Sequence, residues 1–256
     1  MPNADLAGRT ILITGAGGAL GRATAQALSA LSADLVLADL SVEALEGTLE
    51  KCPGAKGFVG DVADGKTVDK LADFSARAFD RPVRGLVATA GLFGPMKPLI
   101  DVTEDEFDSL FNLNVRAVWR ICKAIIPQMK IGGAGEVVLF SSTAGMQASA
   151  DVPLYSVTKA AVVMMTRTLA LSHADQNIRI NCVCPGSIAG PMLESSIAFA
   201  NGPEAQAERR RRIAAVHPMG RMGEPDEVAA AVSYLLGDAA SFTTGIALPI
   251  DGGRLA

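Results

Sequence analysis

Short runs of valine, isoleucine and leucine recur along the chain, separated by longer stretches in which apolar positions return every three or four residues. The continuous runs predict buried strands at 10–14, 34–39, 56–59, 84–88, 136–141, 178–184 and 246–250. Between them the helical period predicts helices at 19–31, 42–50, 64–79, 103–129 and 152–174. A further helix opens at Pro225, a residue suited to a first turn. Thr103 and Glu106 have the spacing of a capping box at the start of the fourth helix. Strands and helices alternating in this way predict an α/β fold, a doubly wound, mainly parallel seven-stranded sheet with helices on both faces. No linker-like stretch divides the chain, so residues 1–256 read as a single domain.

Two helices are apolar over more than one stripe. In 152–174 the residues Ala160 to Met165 and Leu169 to Leu171 leave little polar surface, and 103–129 carries Phe107, Leu110, Phe111, Trp119, Ile121, Ile125 and Ile126. A helix with two apolar sides is covered on both. One side packs on the sheet; the other predicts contact with a second subunit, with the chain's own loops as the alternative.

Where the first strand meets the first helix, the chain reads Thr14-Gly15-Ala16-Gly17-Gly18-Ala19-Leu20-Gly21. Small residues there allow a tight turn and close backbone approach, and the helix N-terminus attracts a pyrophosphate. Asp39 ends the second strand, 24 residues after Gly15, where a carboxylate can accept hydrogen bonds from an adenosine ribose. A 2'-phosphate would meet it as a like charge, and neighbouring Leu40 offers no compensation, so the implied cofactor is NAD. Asp61 and Val62, at the next strand end, are placed to hold the adenine edge.

Composition narrows the partners. The sequence is 49% hydrophobic and 20% charged with a net charge of -4, so it lacks the basic face of a nucleic-acid binder. Apolar runs are too short to span a membrane, and Met1-Pro2-Asn3-Ala4-Asp5 lacks the layout of a signal peptide, which makes cytoplasmic residence the default expectation. Four cysteines without a C-x-x-C pair and two histidines predict no metal site. What remains is a small-molecule substrate. Tyr155 and Lys159, four residues apart, share one face of the fifth helix, where a phenol and an ammonium can act as an acid/base pair.

With these parts in order, the chain resembles the short-chain dehydrogenase/reductase family, nearly end to end. The glycine turn is similar to the family's T-G-x-x-x-G-x-G, Tyr155 and Lys159 match Y-x-x-x-K, and Ser142 stands thirteen residues before the tyrosine. Asn114, in Asn112-Leu113-Asn114-Val115, matches the family's asparagine; Pro185-Gly186-Ser187-Ile188 matches the segment beside the nicotinamide, and Asp251-Gly252-Gly253 the C-terminal D-G-G. The resemblance implies a Rossmann-like fold and a homotetramer. It also implies Tyr155 as general acid/base, with Lys159 lowering its pKa and holding the nicotinamide ribose. Ser142 is then a substrate hydrogen-bonding partner and Asn114 part of a water-linked proton path. Three departures stand out: Ala19 replaces the middle glycine, Ala88-Thr89-Ala90-Gly91 replaces N-N-A-G, and Gly190 stands where a threonine is common. The missing amides put in question the hydrogen bonding of the fourth strand and its adenosine-side contacts, which Thr89 restores only partly; Ala90 and Gly91 stay as expected cofactor-binding residues.

The more polar segment 190–220 is the expected substrate lid. Met192, Leu193, Ile197 and Phe199 offer an apolar cover, and Arg209 to Arg212 bring four cations together. One of these arginines, Arg209 or Arg212 for example, can grip an anionic substrate group; the plain alternative is a solvated helix face. His217 lines the pocket or is an ordinary surface histidine, and Gln147 to Asp151 approach from the other side. The reading is an NAD-dependent oxidoreductase interconverting a secondary alcohol and a ketone in a small metabolite such as a polyol, hydroxy acid or cyclic alcohol. A 3-oxoacyl thioester reductase and a non-catalytic dinucleotide-binding protein are the alternatives.

Overall fold

The computed structural model describes residues 6–256; the N-terminal pentapeptide, weighed as a signal sequence, lies outside them. Seven strands form one sheet: β1 (Thr10–Thr14), β2 (Asp34–Asp39), β3 (Lys56–Val59), β4 (Val83–Ala88), β5 (Gly135–Phe140), β6 (Ile178–Pro185) and β7 (Ala247–Ile250). Their order is β3-β2-β1-β4-β5-β6-β7, and every pairing is parallel. The order reverses between β1 and β4, so the strand ends there open a crevice, the switch point at which sheets of this kind bind ligands.

Alternation along the strands sends side chains to two cores. Leu12, Val36, Leu86 and Val137 pack under α3 (Gly65–Arg77), α5 (Val118–Ile131) and α6 (Pro153–His173). Ile11, Ile13, Leu35 and Val138 pack on the opposite face under α1 (Ala19–Ala30), α2 (Val42–Leu49) and α9 (Pro225–Leu236). With both faces covered, the continuous apolar runs of the strands are explained.

The helix expected at 103–129 is not continuous. Thr103 does cap α4 (Glu104–Phe111) with Glu106 in a full capping box, but residues Asn112–Ala117 form a π turn before α5 begins. The segment 190–220, for which no helix bounds were expected, is largely helical. It contains α7 (Pro191–Ala198) and α8 (Pro203–Ala215), each with proline in its first turn behind a glycine cap. Among the described residues no helix is long and apolar enough to cross a membrane. The outer sides of α4, α5 and α6 do expose large apolar groups, Phe107, Trp119, Ile131, Met164 and Leu171 among them.

Candidate active site

Two cavities meet at the C-terminal ends of the strands. The first, about 610 Å³, runs along the switch point and is lined by Gly15, Gly17, Gly18, Ala19, Leu20, Asp39, Leu40, Asp61, Val62, Ala90, Gly91, Pro185, Gly186 and Ile188. The second, about 570 Å³, lies under the two lid helices. Ser142, Tyr155, Phe93, Gly186 and Ser196 line both.

The nucleotide turn is built by close packing. Gly15 has φ 69°, and a Cβ there would sit 2.7 Å from the Ala90 nitrogen, so no side chain fits between β1 and the end of β4. Thr89 closes the same junction with its hydroxyl, which donates to the carbonyls of Thr14 (2.6 Å) and Gly15 (3.1 Å). A threonine thus supplies the cross-strand bonding that the missing amides put in question. Asp39 reaches back to the turn: its carboxylate accepts from the backbone N–H of Gly17 at 2.8 Å and of Ser41 at 3.0 Å. Gly18 caps α1 without any side-chain hydrogen bond, which leaves first-turn N–H groups directed at the cleft for an anionic ligand. These donors and the Asp39 carboxylate on the cleft wall fit a dinucleotide.

Two departures from the family pattern touch each other. A Cβ at Gly190, where φ is 149°, would lie 2.9 Å from the Cβ of Ala19. The methyl added at 19 occupies the space that a side chain at 190 would need.

Tyr155 and Ser142 come from different elements. Ser142 follows β5, where its hydroxyl accepts from Ala144 N at 3.1 Å, and Tyr155 lies in the first turn of α6. Phe93 packs against the tyrosine ring at a centroid separation of 5.3 Å. Burial pushes the Tyr155 phenol up to about 12, opposed by a hydrogen bond with Ser142. Among the protein's own groups, burial is thus the largest influence on this phenol. The Lys159 ammonium stands 5.5 Å from the ring centroid and donates to the Phe140 carbonyl at 2.8 Å, behind the cleft rather than on its wall. Burial is also what draws Lys159 itself down to about 8, a shift that the neighbouring Cys184 and Cys182 oppose.

Asn114 sits in the π turn, fully buried. Its Oδ1 accepts from Leu92 N at 2.9 Å, and its Nδ2 donates to Leu92 O at 2.9 Å and to Thr158 Oγ1 at 3.2 Å. Both amide protons are thus engaged, and the residue ties the loop after β4 to α6. Within these contacts Asn114 acts as a positioning residue.

The remaining expected groups divide. Arg209 and Arg212 line the second cavity, with Ser149 and Asp151 from the loop before α6. Met192 lies instead on the dinucleotide cleft, together with Leu193. Gln147 is exposed and lines neither cavity. His217 is not a surface residue. It is 2% exposed, its Nε2 accepts from Ser187 N at 3.1 Å, and its Nδ1 bonds the Ile213 carbonyl at 2.8 Å. Both ring nitrogens are occupied in bracing the segment beside Gly186. Among the residues that sequence reasoning missed are Phe93, Met96, Ser196 and Arg254 of the second cavity. Long-range packing brings them to this cavity, and no local motif marks them.

Comparison with known proteins agrees with this geometry. The family model described as enoyl-(acyl carrier protein) reductase matches residues 15–254. Levodione reductase of Leifsonia aquatica is 36% identical over all of this chain and 97% of its own length. A crystal structure of levodione reductase superposes with a TM-score of 0.92 over 97% of this chain and 98% of that one. NAD+-bound xylitol dehydrogenase, 32% identical, superposes with a TM-score of 0.90 over 97% and 99% of the two chains. The 2-keto-3-deoxy-L-fuconate dehydrogenase of Xanthomonas campestris pv. campestris is 33% identical over 98% of this chain and 82% of its own. From the parallel seven-stranded sheet, the glycine turn and these near full-length matches, the chain belongs to the short-chain dehydrogenase/reductase family of oxidoreductases, which bind a nicotinamide dinucleotide.

Proposed function

We propose that the protein is an NAD-dependent dehydrogenase interconverting a secondary alcohol and a ketone in a small metabolite. The observation that carries this reading is that Ser142 and Tyr155 line both cavities, one shaped for a dinucleotide and one roofed by the lid helices. A bound nicotinamide supplies the hydride-transferring carbon and, when oxidised, a positive charge. Glycine turn, Asp39, Asp61, Ala90, Gly91 and the Pro185 to Ile188 segment hold the dinucleotide. The preference for NAD rests on Asp39, whose charge opposes a 2'-phosphate.

Ser142 and Tyr155 hydrogen-bond the substrate oxygen and fix its carbon against the cleft. In ketone reduction Tyr155 would donate its proton to the substrate oxygen, a bound reduced nicotinamide would supply the hydride, and the phenolate would then regain a proton from solvent. In alcohol oxidation the phenol must first give up its proton, and here burial works against it. Positive charge near the ring, from Lys159 and the oxidised cofactor together, offsets that burial. Reduction of 3-oxoacyl thioesters is the second reading, favoured by the description of the matching family model. The exposed apolar sides of α4, α5 and α6 support a homo-oligomer, and 190–220 acts as the substrate lid.

The test is absorbance at 340 nm with NAD or NADP and a panel of polyols, hydroxy acids, cyclic alcohols and 3-oxoacyl thioesters. Tyr155→Phe is expected to lower turnover by about a thousandfold, within the range of general acid/base catalysis, with NADH affinity nearly unchanged. Turnover kept by this variant would remove the phenol from the mechanism.

A further inference from the structure

The four consecutive arginines of α8 are not equivalent. Arg210 pairs with Glu194 through two bonds of 2.7 Å, and Arg211 and Arg212 share Glu208 at 2.8 and 3.0 Å. Arg209 has no carboxylate partner among the described residues. Its Nη2 reaches only the Ser196 hydroxyl at 3.2 Å and the Met96 sulfur at 3.7 Å, and its Nε is buried with no partner. This Nε/Nη2 edge is the side of a guanidinium that grips an oxyanion in a fork. A buried N–H without an acceptor is unfavourable, so the edge is best satisfied by a ligand atom.

Arg209 is on the wall of the cavity that holds Ser142 and Tyr155. Phe93, Met96, Val152 and Ile213 give the same cavity apolar lining, with Phe93 packed on the Tyr155 ring and the Met96 sulfur at Arg209. Arg254, also without an ion pair among the described residues, adds a second cation to the wall. Of the lining carboxylates, Glu208 is taken by Arg211 and Arg212, and Asp151 stands exposed on the opposite loop. The cavity thus combines the hydrogen-bonding groups Ser142 and Tyr155, an apolar lining and unpaired cations.

We propose that Arg209 anchors an oxyanion of the substrate, which is a hydroxy or oxo compound with an apolar body and a terminal acid group, a carboxylate in the first instance. This rests on the dehydrogenase reading of the same site. It extends that reading by choosing the acid class over polyols and neutral cyclic alcohols, for which a buried guanidinium edge has no use.

The experiment compares levulinate and oxocyclohexanecarboxylate with their carboxamides as substrates with NADH, and with sulfonate and phosphonate analogues. The wild type is expected to favour the acids in kcat/KM by about thirtyfold, the scale of a charge-assisted fork. In Arg209→Met that preference collapses through a higher KM for the acids; Arg209→Lys keeps part of it. Arg211→Ala, on the same helix but outside the cavity, leaves it intact. Equal use of acid and amide by the wild type, or an unchanged ratio in Arg209→Met, overturns the proposal. A stronger response to the sulfonate or phosphonate reassigns the acid group from carboxylate to that oxyanion. Acid binding to the enzyme–NADH complex, read by nucleotide fluorescence, separates the two levels. Arg209-dependent acid binding without turnover sinks the dehydrogenase reading and leaves the anchor standing; amide turnover without acid preference does the reverse.

Discussion

Replacing Gly190 by alanine sets a methyl group 2.9 Å from the Cβ of Ala19. Two carbons rest at about 3.5–4.0 Å, so either the first turn of α1 or the start of α7 must retreat by roughly 0.6–1.1 Å. Overpacking of this size costs about 1–3 kcal/mol, equivalent to a roughly 5- to 150-fold loss in a binding constant when it falls on the cofactor-binding conformation. Because Ala19 lines the dinucleotide cleft, NADH affinity is the sensitive measurement, read by nucleotide fluorescence, with urea denaturation as a second readout. Gly190 also has φ 149°, and any side chain there carries backbone strain. That strain is the same beside Ala19 or beside glycine, so a double-mutant cycle with Ala19→Gly removes it and leaves only the methyl–methyl contact. The expected coupling is about 1–2 kcal/mol, with Gly190→Ala far milder in the Ala19→Gly background. Coupling below about 0.5 kcal/mol in both readouts would refute the claim that the two departures compensate each other.

Asp39→Ala is expected to narrow the preference for NAD over NADP by about tenfold or more in kcat/KM, since it removes both a ribose acceptor and a like charge to a 2'-phosphate; an unchanged ratio would count against the ribose assignment. Lys159 is held at about 8 in the folded protein against an ordinary 10.5. The unfolded chain therefore binds more protons between those values, and stability rises with pH across that window, by at most about 3 kcal/mol. Tyr155, raised from 10 to about 12, has the opposite slope above pH 10. Denaturation midpoints from pH 8 to 10 should climb in the wild type and lose that climb in Lys159→Met; parallel curves would contradict the burial of the ammonium. Thr89→Val deletes the hydroxyl that serves the Thr14 and Gly15 carbonyls, and is expected to cost about 1–2 kcal/mol in urea denaturation, with an unchanged midpoint sinking its role as the substitute for the missing amides.

Most of the sheet was legible because parallel strands buried on both faces must be continuously apolar, and β1 and β2 begin and end where that pattern does. The glycine turn and Asp39 were equally plain, since backbone approach and a strand-end carboxylate are local requirements. The lid helices were hidden for a physical reason: α8 has no fully buried residue, so it shows no apolar stripe. Pro191 and Pro203, each preceded by a glycine, were the available signal. His217 was misread because its partner Ser187 lies 30 residues away and nothing local reports burial. The spacing of Tyr155 and Lys159 correctly put them on one face, yet spacing does not show which way the ammonium points. Phe140, from a neighbouring strand, claims it, and burial then sets both titrations.

The π turn at Asn112–Ala117 lets one long helical segment serve two surfaces that do not share a face. Before it, Leu110 packs in the cluster around Tyr155; after it, Val118, Ile121, Cys122 and Ile125 pack on the sheet. Each residue added to or removed from a helix rotates its C-terminal remainder by about 100°. Deleting one residue from 112–117 would relax the wide turn to an ordinary helix and swing either the Tyr155 side or the sheet side away from its partner. The length of this stretch is therefore as fixed as the identity of its asparagine, a constraint on insertions and deletions carried by a segment that otherwise reads as a plain amphipathic helix.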